Sequence, residues 1–144
     1  EEMFKATINS LPANVAIFTA AVGDYKVKET SEIKIKNQNR LNIELEKNVD
    51  ILNYISNHNS LRPKLVIGFA AETNNLENYA NQKLNEKNCD WIIANDVSNK
   101  NIGFDSDFNE VSIFYKNNKT EKLEYKPKSE ISDELVEKIV NHLN

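Results

Sequence analysis

One cysteine, three glycines and no long apolar run are the first features of this 144-residue chain. The lone Cys89 cannot form an internal disulfide, and no cysteine pair is spaced to grip a metal. A reducing, cytoplasmic setting is the expectation. The glycines, at 23, 68 and 103, are not spaced to cradle a phosphate, which argues against a dinucleotide fingerprint and a Walker-type loop. No apolar stretch approaches the roughly 18 to 20 residues that span a bilayer, so no membrane partner is expected. A net positive charge is lacking as well. A net charge of −4 speaks against a general nucleic-acid surface, and an anionic substrate would need locally gathered lysines. There is no Ser–His–Asp order and no paired histidine ligands. His58 and His142, on the later parts of helical runs, read as structural.

What is present is α/β grammar. Lys64-Leu65-Val66-Ile67-Gly68-Phe69-Ala70-Ala71-Glu72-Thr73 reads as a parallel strand buried on both faces, followed at once by a helix over Leu76 to Lys87. Val15 to Ala21 ends in Gly23-Asp24-Tyr25, and Asp90 to Ala94 ends in Asn95-Asp96, with the same pattern. Three apolar strands with polar residues just past their ends predict a shared site at the carboxyl rim of an open sheet. Glu1 to Leu11 should be an amphipathic helix with Phe4, Ile8 and Leu11 on one face. Asn48 is the expected N-cap of a short helix carrying Ile51, Leu52, Tyr54 and Ile55. Thr73 or Asn74 should cap the Leu76 helix, with Leu76, Tyr79, Ala80 and Leu84 inward. Alternation over Leu41 to Glu46 predicts a half-buried antiparallel strand after a turn at Asn37 to Arg40. A loop with Gly103, Phe104, Asp105 and Asp107 precedes a terminal hairpin, Glu110 to Tyr115 and Glu121 to Tyr125. A last helix, capped by Ser129 or Ser132, should dock through Leu135, Ile139, Val140 and Leu143.

The fold class is therefore α/β: a Rossmann-like, doubly wound, mainly parallel sheet in one domain, residues 1–144. Residues 26–46 make an excursion that either pairs with another subunit or stands as a surface arm. A domain of this kind normally opens on a strand, a Gly-rich turn and a helix, and the expectation is that such an amino-terminal βα segment is missing here.

Each candidate residue has two readings. Lys83 and Lys87, four apart on one helix, share a face that is either solvated or built for an anion. Lys34 and Lys36 either solubilise the excursion or reach a ligand. Asp24 can hold a turn, or bind a ribose hydroxyl or a metal through water. Glu72 is either an acid beside the site or a favourable charge at a helix start. Phe69 and Trp91 are core rings or stacking partners for a base.

Five segments together resemble a known family. Ala20-Ala21-Val22-Gly23-Asp24-Tyr25, Lys34-Ile35-Lys36, Lys47-Asn48-Val49-Asp50-Ile51, Gly68 to Thr73 and Ala94-Asn95-Asp96-Val97-Ser98 occur in the order and spacing of bacterial phosphopantothenate–cysteine ligases. These are usually the carboxy-terminal part of a bifunctional flavoprotein of coenzyme A biosynthesis, whose FMN belongs to the fused decarboxylase domain.

The resemblance implies a CTP-dependent ligase. The carboxylate of 4′-phosphopantothenate attacks the α-phosphate with Mg²⁺ assistance, and cysteine then displaces CMP. It implies catalytic and nucleotide roles for Lys34, and nucleotide contacts for Asp24, Phe69, Lys83 and Lys87. Val49, Asp50, Ile51 and Leu52 would read the base from a helix start, partly through backbone amides. Ala20, Ala21, Asn48, Glu72, Asn95 and Asp96 would line the site, and no protein metal ligand is assigned. A homodimer with an arm reaching across is implied. This chain departs from the pattern at Asn37, where relatives usually have lysine, and at Val49, often proline. The family's Gly-rich turn and acyl-cytidylate-handling asparagine find no counterpart, so the chain alone is expected to lack ligase activity. A non-catalytic nucleotide-binding or dimerisation module is the alternative.

Overall fold

The computed structural model describes residues 1–36, 40–98 and 106–144. Asn37, most of the turn predicted at 37–40, and Gly103, Phe104 and Asp105 lie outside the described residues.

The apolar run at the centre becomes β4 (Leu65–Glu72). Its neighbours are β1 (Val15–Phe18) and β5 (Trp91–Asp96), both parallel to it. The hairpin of β6 (Phe108–Tyr115) and β7 (Thr120–Pro127) extends the sheet antiparallel, giving the order β1-β4-β5-β6-β7.

Strand periodicity divides the core in two. Leu65, Ile67, Trp91, Ile93, Val111, Ile113 and Leu123 face α4 (Lys128–Leu143), which contributes Ile131, Leu135 and Ile139. Val66, Ala70, Ile92, Ala94 and Phe114 face α3 (Leu76–Lys87), which contributes Ala80 and Leu84. Helices on both faces explain why β4 carries no polar alternation: Leu65, Val66 and Ile67 are all fully buried. The short α2 (Ile51–Ser56) sits close to β4 because Gly68 lacks a side chain. A Cβ there would come within 2.6 Å of Leu52 Cδ2 and 2.9 Å of Ile92 Cδ1. α1 (Glu2–Asn9) has no fully buried residue and touches α2 through Phe4, whose ring meets Tyr54 edge-on at 4.9 Å.

Several local expectations change. α3 has the predicted span, but Asn75, in a left-handed conformation with no side-chain cap bond, precedes it instead of a Thr73 or Asn74 cap. Tyr79 stays exposed. α4 begins at Lys128 with Pro127 ahead of it, and neither Ser129 nor Ser132 is its N-cap. It buries Ile131, Leu135 and Ile139; Val140 falls off that four-residue stripe, and Leu143, which continues it, stays exposed at the last residue of the helix. The strand expected over Leu41 to Glu46 shrinks to β3 (Leu45–Lys47), which pairs antiparallel with β2 (Tyr25–Val27) in a separate two-stranded ribbon. Leu41, Ile43 and Leu45 all stay exposed, so alternation here has no core face to satisfy.

At the amino ends of the parallel strands, Arg62 locks the sheet. Its Nε donates to the Ser56 carbonyl (2.7 Å) and Nη1 to the Pro63 carbonyl (3.0 Å). Nη2 reaches the Asn88 carbonyl (3.2 Å) and both carboxylate oxygens of Asp90 (3.0 and 3.1 Å). Asp90 in turn accepts from the Val66 amide (2.7 Å). Nothing in the sequence pattern singled out Arg62.

Candidate functional site

Side chains on a helix lean toward its amino terminus, so Lys83 and Lys87 reach back along α3 toward α2 and the middle of β4. The Lys83 ammonium donates to the Phe69 carbonyl at 3.0 Å. The Lys87 ammonium lies 2.6 Å from Asp50 Oδ2. These contacts set Lys83 against β4 and Lys87 against the start of α2, with the Lys83 charge also felt at Asp50.

Asp50, not Asn48, is the N-cap of α2: its Oδ1 accepts from the Asn53 amide at 2.9 Å. Partial burial pushes its carboxyl upward, but the Lys87 ammonium and the Asn53 N–H outweigh that and hold it below the ordinary carboxylate value. Lys87 is raised by the same hydrogen bond, against partial desolvation. Asn48 instead fastens the root of the β2–β3 ribbon. Its backbone N–H donates to the Asp24 carbonyl (2.8 Å) and its Nδ2 to the Gly23 carbonyl (2.9 Å). Asp24 is close enough to Lys87 for its charge to favour the ammonium.

The fold thus gathers Asp24, Asn48, Asp50, Phe69, Lys83 and Lys87. It does not use them all as side chains. Position 69 is odd in the strand alternation, so the Phe69 ring packs against the cluster on the α4 face while Lys83 lies on the α3 face. What Phe69 offers Lys83 is its carbonyl. Ile51 is buried, and Leu52 packs on Gly68, so the groups these two can present to a ligand are backbone. Val49 is exposed.

Three other sets of predicted residues lie at the strand ends and on the excursion. Ala71 pairs in register with Asn95 and Glu72 with Asp96, at the tips of β4 and β5. Asp96 accepts from the Ser98 amide at 2.9 Å, and the Ser98 hydroxyl together with that amide lowers its carboxyl. Ala20 and Ala21 are exposed just past β1. Lys34 is exposed on the ribbon's excursion. Among the described residues, no hydrogen bond or ion pair links Lys34, Glu72, Asn95 or Asp96 to the lysine pair. A groove of about 360 Å³ between β7 and α4, lined by Lys122, Leu123 and Lys138 among others, includes none of the predicted site residues.

Other reactive groups are occupied in structure. Cys89 is fully buried, and burial pushes its thiol up to about 11, so it is not a nucleophile. His58 Nδ1 accepts from the Leu61 amide, and His142 packs edge-on against Trp91. Among the described residues, no three His, Cys, Asp or Glu side chains group to hold a metal, and no helix is long and apolar enough to cross a membrane.

Comparison with known proteins gives concordant matches. Residues 1–143 match the family described as DNA/pantothenate metabolism flavoprotein C-terminal domain. The coenzyme A biosynthesis bifunctional protein CoaBC of Haemophilus influenzae is 42% identical over 142 residues, covering 97% of this chain and 35% of that protein. That of Bacillus subtilis is 38% identical over 128 residues, covering 88% and 31%. This chain therefore spans about a third of the length of these curated relatives. A crystal structure of the C-terminal domain of a CoaBC protein superposes with a TM-score of 0.76 at 35% identity, covering 99% of this chain and 61% of the other.

Proposed function

Because the chain belongs to the DNA/pantothenate metabolism flavoprotein C-terminal domain family, we propose that it is the ligase part of a coenzyme A biosynthesis enzyme. It joins 4′-phosphopantothenate to cysteine through an acyl-cytidylate made from CTP. The observation that carries this reading is the convergence of Lys83, Lys87, Asp50 and Asp24, linked by one ion pair and by mutual charge effects. Each was assigned to the nucleotide by resemblance, and they come from separate parts of the chain.

In the first step the 4′-phosphopantothenate carboxylate attacks the α-phosphorus of CTP. The bond to the bridging oxygen breaks and pyrophosphate leaves. In the second, the cysteine amine attacks the acyl carbon, loses a proton and releases CMP. Negative charge is concentrated on the polyphosphate throughout, so positioning and charge neutralisation are the protein's main contributions. Lys83 and Lys87 take the phosphates. Lys34, carried on the arm of residues 26–46, meets the α-phosphate and the acyl-cytidylate. The carbonyls and amides of 49–52 read the base. Mg²⁺ arrives with the triphosphate and supplies further charge neutralisation. Asp24 is the nearby carboxylate that would face it or the ribose. FMN belongs to a fused decarboxylase part.

The arm favours a homodimer. Tyr25 is 62%, Ile33 81% and Ile43 59% exposed, more apolar surface than a polar ribbon normally leaves uncovered. Calorimetric titration with CTP and with ATP tests the reading. CTP binding with ATP at least about tenfold weaker (roughly 1.4 kcal/mol) is expected, and no heat from either nucleotide would contradict it. In the intact ligase, Lys34→Ala should abolish turnover while CTP still binds. Unchanged kcat would favour a non-catalytic nucleotide-binding module.

A further inference from the structure

We propose that Asp50 is a positioning residue: it holds the Lys87 ammonium against the start of α2 and ties that ammonium to the root of the arm. The inference rests on the nucleotide reading for its purpose, but not for its geometry. Asp50 uses its two oxygens for two tasks, Oδ1 accepting from Asn53 N–H at 2.9 Å and Oδ2 from Lys87 at 2.6 Å. Two residues earlier, Asn48 is bonded to the carbonyls of both Gly23 and Asp24. Only Val49 therefore separates the residue that fastens the ribbon, Asn48, from the one that meets Lys87, Asp50. The neighbouring Lys83 is pinned separately, on the Phe69 carbonyl, so the two ammonium groups are held by different parts of the fold.

An ammonium has three donors. With one taken by Asp50, Lys87 keeps two for a ligand, in a place set by a capped helix and not by its own flexible stem. This makes a prediction whose sign separates positioning from mere proximity. A carboxylate that only sits near an anion site repels the anion, so removing its charge tightens binding. A carboxylate that positions the lysine does the reverse.

Asp50→Asn is the informative change, because asparagine caps a helix as well as aspartate does and the fold should survive. Two measurements are made on the wild-type chain and on this variant. The first is CTP affinity by calorimetry, where about tenfold weaker binding is expected and equal or tighter binding overturns the proposal. The second is the ¹⁵Nζ signal of Lys87 in lysine-labelled protein, assigned with Lys87→Arg, followed through alkaline pH. Its titration midpoint should fall and its signal sharpen toward that of an unrestrained lysine; an unmoved signal overturns the proposal. If the wild-type chain fails to bind CTP at all, the ligase reading falls, and the Lys87 signal alone decides whether Asp50 holds it. Asp50→Glu should recover part of the Lys87 shift, since it restores the charge at the cost of the cap; no recovery at all counts against an ion-pair origin.

Discussion

Arg62 and the Lys83–Lys87 pair are both cations gripped by the same sheet, yet they are gripped differently. Arg62 bonds through all three guanidinium nitrogens, to three backbone carbonyls and to Asp90. Lys83 and Lys87 each have one acceptor among the described residues. A cation bonded through every nitrogen inside the protein has little left to offer a ligand and acts as a clamp. A cation held by one bond is located but still available. The same contrast extends along each region. The amino rim also carries Tyr115, whose hydroxyl donates to Glu121, which Lys119 and Lys138 flank. The start of α2, by contrast, has exposed Asp24 and Val49 beside it and the polar ribbon rooted at its edge.

If the contrast is correct, substitutions should separate stability from binding. The largest effect is expected for Arg62→Ala, which strands the half-buried Asp90 and frees three carbonyls. Chemical denaturation should show a loss of roughly 3 kcal/mol, with CTP affinity changed less than about twofold (~0.4 kcal/mol). Next, Lys83→Ala should weaken CTP about tenfold, or ~1.4 kcal/mol, while stability moves by less than about 1 kcal/mol. A reversed outcome for this pair of variants would erase the distinction between clamp and site.

A smaller effect sharpens the clamp side. Hydrogen bonds from Tyr115, Lys119 and Lys138 hold the Glu121 carboxyl at about 2, below its ordinary 4.5. A depressed carboxyl stabilises the fold fully above its unfolded value, and that stabilisation is lost as pH falls toward the folded one. Glu121→Gln should therefore flatten the pH dependence of stability between about 4.5 and 2 and leave the slope above it alone. The smallest change in folding is expected at the ribbon. Leu45→Ser should alter stability by no more than about 0.5 kcal/mol, and its signature, if the arm joins two copies, is a shift toward monomer in sedimentation.

How legible each region was in the sequence follows from where its partners come from. β4 and α3 could be read directly, because a two-face apolar run and a helix ending at Asn88 are local signals. The terminal hairpin was visible for the same reason. The ribbon was overextended because alternation at Leu41, Ile43 and Leu45 mimics a half-buried strand, and only the fold reveals that no core lies beneath it. In the site, lysines four apart could be seen as one face, but not which neighbour each would meet. Asp50 displaced Asn48 as the cap because Asn48 is held by carbonyls 24 and 25 residues earlier in the chain. The orientation of Phe69 depends on which face α3 covers, and its parity in β4 becomes informative only then. Arg62 was invisible, since its acceptors are mostly backbone carbonyls that carry no residue-type signal.

We propose that Lys83 and Lys87, between α2 and β4, seat the polyphosphate of a pyrimidine nucleotide. Amide chemical-shift mapping of the ¹⁵N-labelled chain during a CTP titration tests it most directly. Saturable shifts are expected, concentrated at 48–53, 69–70 and 83–87 and extending to Asp24. Shifts confined to the β7–α4 groove, or none at all with CTP in excess, would contradict it.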